Sequence, residues 1–250
     1  MLNCPNATVQ SSALRADHDT HCEGGIDSLT FLYIEEQKVQ KVRKTEMTTT
    51  KSPIINSEVL LKKKLGPIRW LWDGIIAHRT ITAIAGDAGA YKTWFTLYLA
   101  QAIANGESFL DRPTSRNKVI IFDKENSEPM LQKRLRSCGA SRYFDIYLKS
   151  RQPESPMLVD EKGVVSPLYM DYAGRGYLMI FDSLTRFHRF SENSASKMRL
   201  VLEGFQKLQD AGATVIFTHH TGKGKKNDYR GSSEIKAGVD ALFTMRSTED

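Results

Sequence analysis

From Leu65 onward, short unbroken apolar runs alternate with helical patterns, and that alternation restricts the fold more than any other feature. The runs are Thr80–Ala85 (TITAIA), Lys118–Phe122 (KVIIF), Ile146–Leu148, Tyr177–Phe181 (YLMIF), Thr214–Thr218 (TVIFT) and Ala241–Met245 (ALFTM). A strand with one wet face alternates apolar and polar residues. A strand apolar throughout is covered on both faces, which is the habit of parallel sheets flanked by helices. The stretch Thr93–Asn105 is apolar on nearly every side, as a buried helix should be, and Gly106 supplies its stop. Met130–Ser137 reads as a basic amphipathic helix. In Ala195–Ala211, Met198, Val201, Leu202, Phe205 and Leu208 fall on one helical face and Gly212 closes it. The expected class is α/β, with a mostly parallel sheet and helices on both faces.

Residues 1–60 read differently, as a weakly ordered N-terminal tail or linker before a domain spanning 61–250. Met1–Gly25 is polar and turn-rich, Ser28–Ile34 is a candidate strand, and Glu35–Lys51 gathers Lys38, Lys41, Arg43 and Lys44. Met47 is a candidate start of a shorter product. His18, His21 and Cys22 lie near Asp17 and Asp19, but no second Cys/His pair follows at finger spacing, so a zinc site is not expected. Three scattered cysteines (Cys4, Cys22, Cys138) argue against a disulfide framework, and no apolar stretch approaches the ~20 residues of a membrane span. A cytoplasmic protein without membrane partners is expected. With 40% hydrophobic and 26% charged residues the chain has material for an ordinary core. Its net charge of +6 permits nucleic-acid binding without demonstrating it.

The sharpest local signal is Gly86-Asp87-Ala88-Gly89-Ala90-Tyr91-Lys92-Thr93, with Trp94 next. It fits G-x-x-x-x-G-K-[ST] at the first Gly, the Lys and the Thr, between a strand ending at Ala85 and a helix beginning at Thr93. Gly86 and Gly89 let the backbone turn its N–H groups onto phosphate oxygens. The helix N-terminus favours the same negative charge. Lys92 is placed to reach the β- and γ-phosphates, and the Thr93 hydroxyl to ligate Mg²⁺. Tyr91 stands where the second Gly belongs. Its presence is compatible with the loop if its backbone is ordinary and its side chain points away from the nucleotide.

Acids end two of the strands. Tyr177–Phe181 delivers Asp182 at the C-terminal edge, where open parallel sheets bind ligands and a carboxylate can hold a Mg²⁺ shell. Lys118–Phe122 delivers Asp123 and, two residues later, Glu125; either carboxylate is placed to position an attacking water, the bland alternative being a loop or helix-capping acid. Thr214–Thr218 ends in His219-His220, a polar strand tip able to sense a γ-phosphate. The Gly- and Lys-rich stretch Thr221–Lys226 and Arg230-Gly-Ser-Ser233 follow. No helix-turn-helix or finger is evident, so sequence-specific DNA reading is not expected.

Together with Ile68–Gly74 (IRWLWDG), Asp123–Asn126 with Leu131–Leu135, Phe181–His188 and Thr218–Lys223, this order of motifs resembles the RecA-like AAA-type ATPases related to the plasmid replicative helicase RepA. KaiC- and DnaB-like ATPases are more distant relatives. The resemblance covers about Leu65 to Met245 and implies a RecA-like P-loop NTPase core using ATP and Mg²⁺. It implies Lys92 and Thr93 as the phosphate-loop pair, Glu125 as the catalytic acid, Asp182 as the metal-side acid and His219 or His220, with His220 favoured, as the strand-tip sensor. It also implies a homo-oligomeric ring, hexameric by the same likeness, in which Arg230, or else Arg246, reaches a neighbour's nucleotide. A helicase-like or repair motor on single-stranded DNA is the function implied. The alternatives are a KaiC-like regulatory ATPase and a nucleotide-binding module with little hydrolysis. The chain stops at Asp250, soon after its last strand, where a longer relative would carry more sheet or a DNA-binding extension; a minimal or truncated member is expected.

Overall fold

The computed structural model describes residues 54–139, 144–151, 155–220 and 234–246. The candidate strand Ser28–Ile34, the charged run after it, the His18–Cys22 group and residues 221–233 with Arg230 lie outside the described residues. The chain divides into two units, Met1–Leu65 and Gly66–Asp250. In the first, the short helix α1 (Ser57–Lys62) starts at Asn56, whose side chain accepts the Glu58 N–H at 2.8 Å.

In the second unit, β1 (Trp70–Trp72) and β2 (Ile76–Ala77) form an antiparallel pair. Six further strands follow: β3 (Ile81–Gly86), β4 (Val119–Asp123), β5 (Asp145–Leu148), β6 (Leu178–Asp182), β7 (Thr214–His220) and β8 (Ala241–Met245). They form one sheet in the order β5-β4-β6-β7-β3-β8, and every pairing in it is parallel. Parallel pairing forces a crossover between strands, and the crossovers supply helices α2 (Lys92–Asn105), α3 (Glu128–Ser137), α4 (Pro167–Gly174), α5 (Ala195–Ala211) and α6 (Glu234–Ala237). The expected α/β class, with helices on both faces of a parallel sheet, is the observed one.

Side chains alternate across the strands with period two, and the two faces carry separate cores. One face gathers Ile81, Ala83, Phe122, Met179, Phe181, Val215 and Phe217 under α4 and α5, where Val201, Phe205 and Tyr169 are fully buried. The other gathers Ile84, Ile121, Ile180 and Ile216 under α2 and the β1–β2 hairpin, with Leu97, Ile103 and Leu71 buried. The predicted face of α5 is buried at all five named positions. Helix α2 buries residues around most of its girth, as its continuous apolar sequence requires. Helix α4 and the hairpin had no clear periodic signature, being too short to show one.

Candidate functional site

Because the strands run parallel, their C-terminal ends share one rim, and four of them bring polar groups to it. Gly86 lies in register with His220, and Asp123 with Asp182. Gly86 is required by close approach: a Cβ there would lie 2.7 Å from the Met245 carbonyl oxygen on β8. Lys92, the first residue of α2, is buried and donates to the carbonyl oxygens of Gly86 and Asp87, both at 2.8 Å. Its amine also sits 3.4 Å from His220 Nδ1. Burial holds the Lys92 pKa below the usual lysine range, against the opposing pull of Asp182, Glu125 and Asp87.

Asp182 is only 3% exposed and is held between two hydroxyls. Thr93 Oγ1 donates to its Oδ2 at 2.7 Å, and Thr218 Oγ1 donates to its Oδ1 at 2.6 Å. Burial raises its pKa above the ordinary carboxylate range. The two hydroxyl hydrogen bonds oppose that rise, and the neighbouring charges of Asp123 and Glu125 add to it. A buried carboxylate flanked by two hydroxyls is an oxygen donor set suited to a hard divalent cation such as Mg²⁺.

Asp123 and Glu125 now separate. Asp123 accepts the backbone N–H groups of Glu125 and Asn126 at 2.9 and 2.8 Å, and the Asn126 side-chain amide at 2.8 Å. It is a loop-holding acid. Glu125 lines the cleft itself, where its Oε1 accepts from Ser183 Oγ at 2.5 Å and lies 3.5 Å from Arg186 Nε. The histidines separate by strand parity. His220 falls on the same face of β7 as Ile216 and Thr218 and meets Lys92. His219 falls with Val215 and Phe217, fully buried, its Nδ1 3.8 Å from Glu192.

These groups line one cleft of about 370 Å³, formed by Ala88 to Trp94 together with Glu125, Asn126, Arg134, Asp182 and His220. Gly86 and Asp87 form the strand end and turn beneath Lys92. Arg246 is exposed, directly after the Met245 that pairs with Gly86. Tyr91 corrects the sequence expectation. Its backbone is not ordinary: φ is +57° and ψ +21°, the left-handed region that favours glycine, while its side chain is 65% exposed. The consensus glycine is therefore a conformational requirement of this loop that Tyr91 meets under strain.

Sequence reasoning passed over four groups. Thr218 was visible as the residue two before His220 on the same strand face. Ser183 and Arg186 follow Asp182 closely. Arg134, on the basic helix α3, hydrogen-bonds Asn126 at 2.8 Å and lies over Trp94 at 5.9 Å. No group of three or more His, Cys, Asp or Glu side chains suited to a metal occurs among the described residues, and none of the described helices is long and apolar enough to cross a membrane.

A family model described as "AAA domain" matches residues 49–226. Among solved structures, the chain is similar to the flagellar accessory protein FlaH from Methanocaldococcus jannaschii. The identity is 12% and the TM-score 0.44, over 71% of this chain and 76% of FlaH.

Proposed function

The chain belongs to the AAA domain family of ATPases, and from that premise we propose that the rim cleft binds MgATP and hydrolyses it to drive work on single-stranded DNA, in a replicative helicase-like or repair motor. The observation that carries the reading is the contact of Thr93 with Asp182 at 2.7 Å beside the buried amine of Lys92. It joins the start of α2 to the end of a strand two places away in the sheet.

In this reading the N–H groups of 88–93 and the dipole of α2 hold the phosphate chain. Lys92 exchanges its two loop carbonyls for phosphate oxygens, a trade that returns a desolvated ammonium to anionic partners. Asp182 and Thr93 are the residues that would hold Mg²⁺, which supplies charge neutralisation on the β- and γ-phosphates. Glu125 orients the attacking water and takes its proton as the water oxygen bonds the γ-phosphorus and the bond to the β–γ bridging oxygen breaks. His220 contacts the γ-phosphate through a ring nitrogen. Trp94, beside Arg134 at the cleft wall, offers a face to the nucleotide. Catalysis of this kind is positioning plus electrostatics. A ring of identical subunits, hexameric by the likeness to replicative helicases, adds an arginine from a neighbour, Arg230 or Arg246.

The test is phosphate release with and without single-stranded DNA, paired with mass measurement in solution. A DNA motor is stimulated by the strand and assembles. ATP turnover indifferent to DNA would leave a regulatory ATPase of the KaiC kind, and nucleotide binding with no phosphate release would leave a binding module.

A further inference from the structure

Lys124 belongs to the Asp123–Asn126 turn but takes no part in the nucleotide cleft. By strand parity it follows Ile120 and Phe122 onto the opposite face of the sheet. There it is only 7% exposed, donates to the Pro156 carbonyl oxygen at 2.7 Å and lies 4.3 Å from the centre of the Phe187 ring. An ammonium has three donors, and a buried one without a carboxylate is costly. It opens on a cleft of about 520 Å³ whose other charged walls are Lys149, Arg186 and Arg189. Four cations and no carboxylate line this cleft among the described residues.

Two further observations say what would enter it. The cleft shares Pro156, Met157 and Arg189 with a neighbouring cavity of about 500 Å³ walled by Val159, Val164 and Phe190 and also by Asp160 and Glu161, the first of which accepts the backbone N–H groups of Lys162 and Val164. A cationic groove that passes into a pocket with an apolar, aromatic wall fits a nucleotide strand, with phosphates held on the cations, away from the two acids, and a base against the ring. Arg186 also lies 3.5 Å from Glu125, so one guanidinium forms a wall of this cleft and touches the carboxylate of the other.

We propose that the Lys124–Lys149–Arg186–Arg189 cleft is a phosphodiester site for single-stranded nucleic acid, and that Arg186 links its occupancy to Glu125. The proposal rests on the DNA-motor reading and adds to it a place and a means of coupling. When no strand is bound, Arg186 and Ser183 hold Glu125. A phosphate in the cleft draws Arg186 toward itself and frees the carboxylate to take a water.

The test uses the full chain, a fluorescein-labelled oligothymidylate and the double variant Lys149→Ala/Arg189→Ala. Both residues are exposed and lie outside the nucleotide cleft, so ATP turnover without DNA should be unchanged, which also reports that the variant is folded. By anisotropy the wild type should bind with an affinity that falls as salt rises. The double variant should bind about tenfold or more weakly, with a log–log salt slope smaller by about 1.4, two phosphate neutralisations at roughly 0.7 each. Its ATP turnover should lose the stimulation by oligothymidylate. Wild-type binding matched by the double variant in affinity and slope would overturn this site and leave the DNA reading standing. Failure of the wild type to bind at all would overturn the DNA reading itself.

Discussion

Tyr91 gives the most quantitative test of the phosphate loop, through the comparison of Tyr91→Ala with Tyr91→Gly. Both variants delete the same exposed ring, so whatever that ring contributed cancels between them. What remains is the backbone at φ +57°. A Cβ in the left-handed region costs about 1–2 kcal/mol, which Ala bears and Gly does not. Against that, Gly loses about 0.5–1 kcal/mol more chain entropy on folding. The Gly variant should therefore be the more stable by about 0.5–1 kcal/mol, or roughly 1–4 °C in Tm for a domain of this size. At an ordinary backbone position the order is reversed, with Ala ahead by a similar amount. Thermal or urea unfolding of the two nucleotide-free variants reads the sign directly. An Ala variant equal to or above the Gly variant would refute the left-handed geometry and the account of why the consensus places glycine there.

Three other outcomes follow from the geometry. Thr218→Val keeps the shape of the side chain but removes a hydroxyl that donates to a buried carboxylate, so it should cost about 1.5–3 kcal/mol in the nucleotide-free protein, checked by denaturant midpoint. Asp182 has a folded pKa above its unfolded one, so between those two values the folded state binds more protons. Nucleotide-free stability should fall as pH rises through that window, and Asp182→Asn should flatten the slope and raise Tm near neutral pH while abolishing turnover, followed by melting curves across pH. Gly86→Ala would drive a Cβ to 2.7 Å from the Met245 carbonyl oxygen, so β8 must shift. A loss of about 1–3 kcal/mol, with weakened nucleotide binding, is expected by unfolding and by titration with a fluorescent ATP analogue.

The fold was legible because parallel strands buried on both faces leave unbroken apolar runs, and all six runs are strands of the one sheet. Helix α4 was not, because its eight residues hold too little periodicity and its burial is set by Tyr169 and Ala173 packing under the sheet. In the cleft, Lys92 and Thr93 were legible as a motif at fixed spacing, and Asp182 as the acid that ends an unbroken apolar run. The residues alone left Asp123 and Glu125 open, and only the resemblance favoured Glu125, since both follow the same strand and the turn decides which acid binds backbone N–H groups. The choice between His219 and His220 was latent in strand parity, which places His220 with Thr218 on the side of α2. The backbone sign at Tyr91 had no signal other than the glycine that it replaces.

Glu125→Gln offers the most direct measurement on the central claim, because it alters one proton-accepting oxygen and little else at the rim. Bound and hydrolysed MgATP should be measured on the same sample, by equilibrium titration and by single-turnover phosphate release at saturating nucleotide. The account predicts binding close to wild type and phosphate release slowed by about 10²-fold or more. Unchanged release with unchanged binding would contradict it, because the water would then be handled by some group other than the carboxylate that this rim brings beside Lys92 and Asp182.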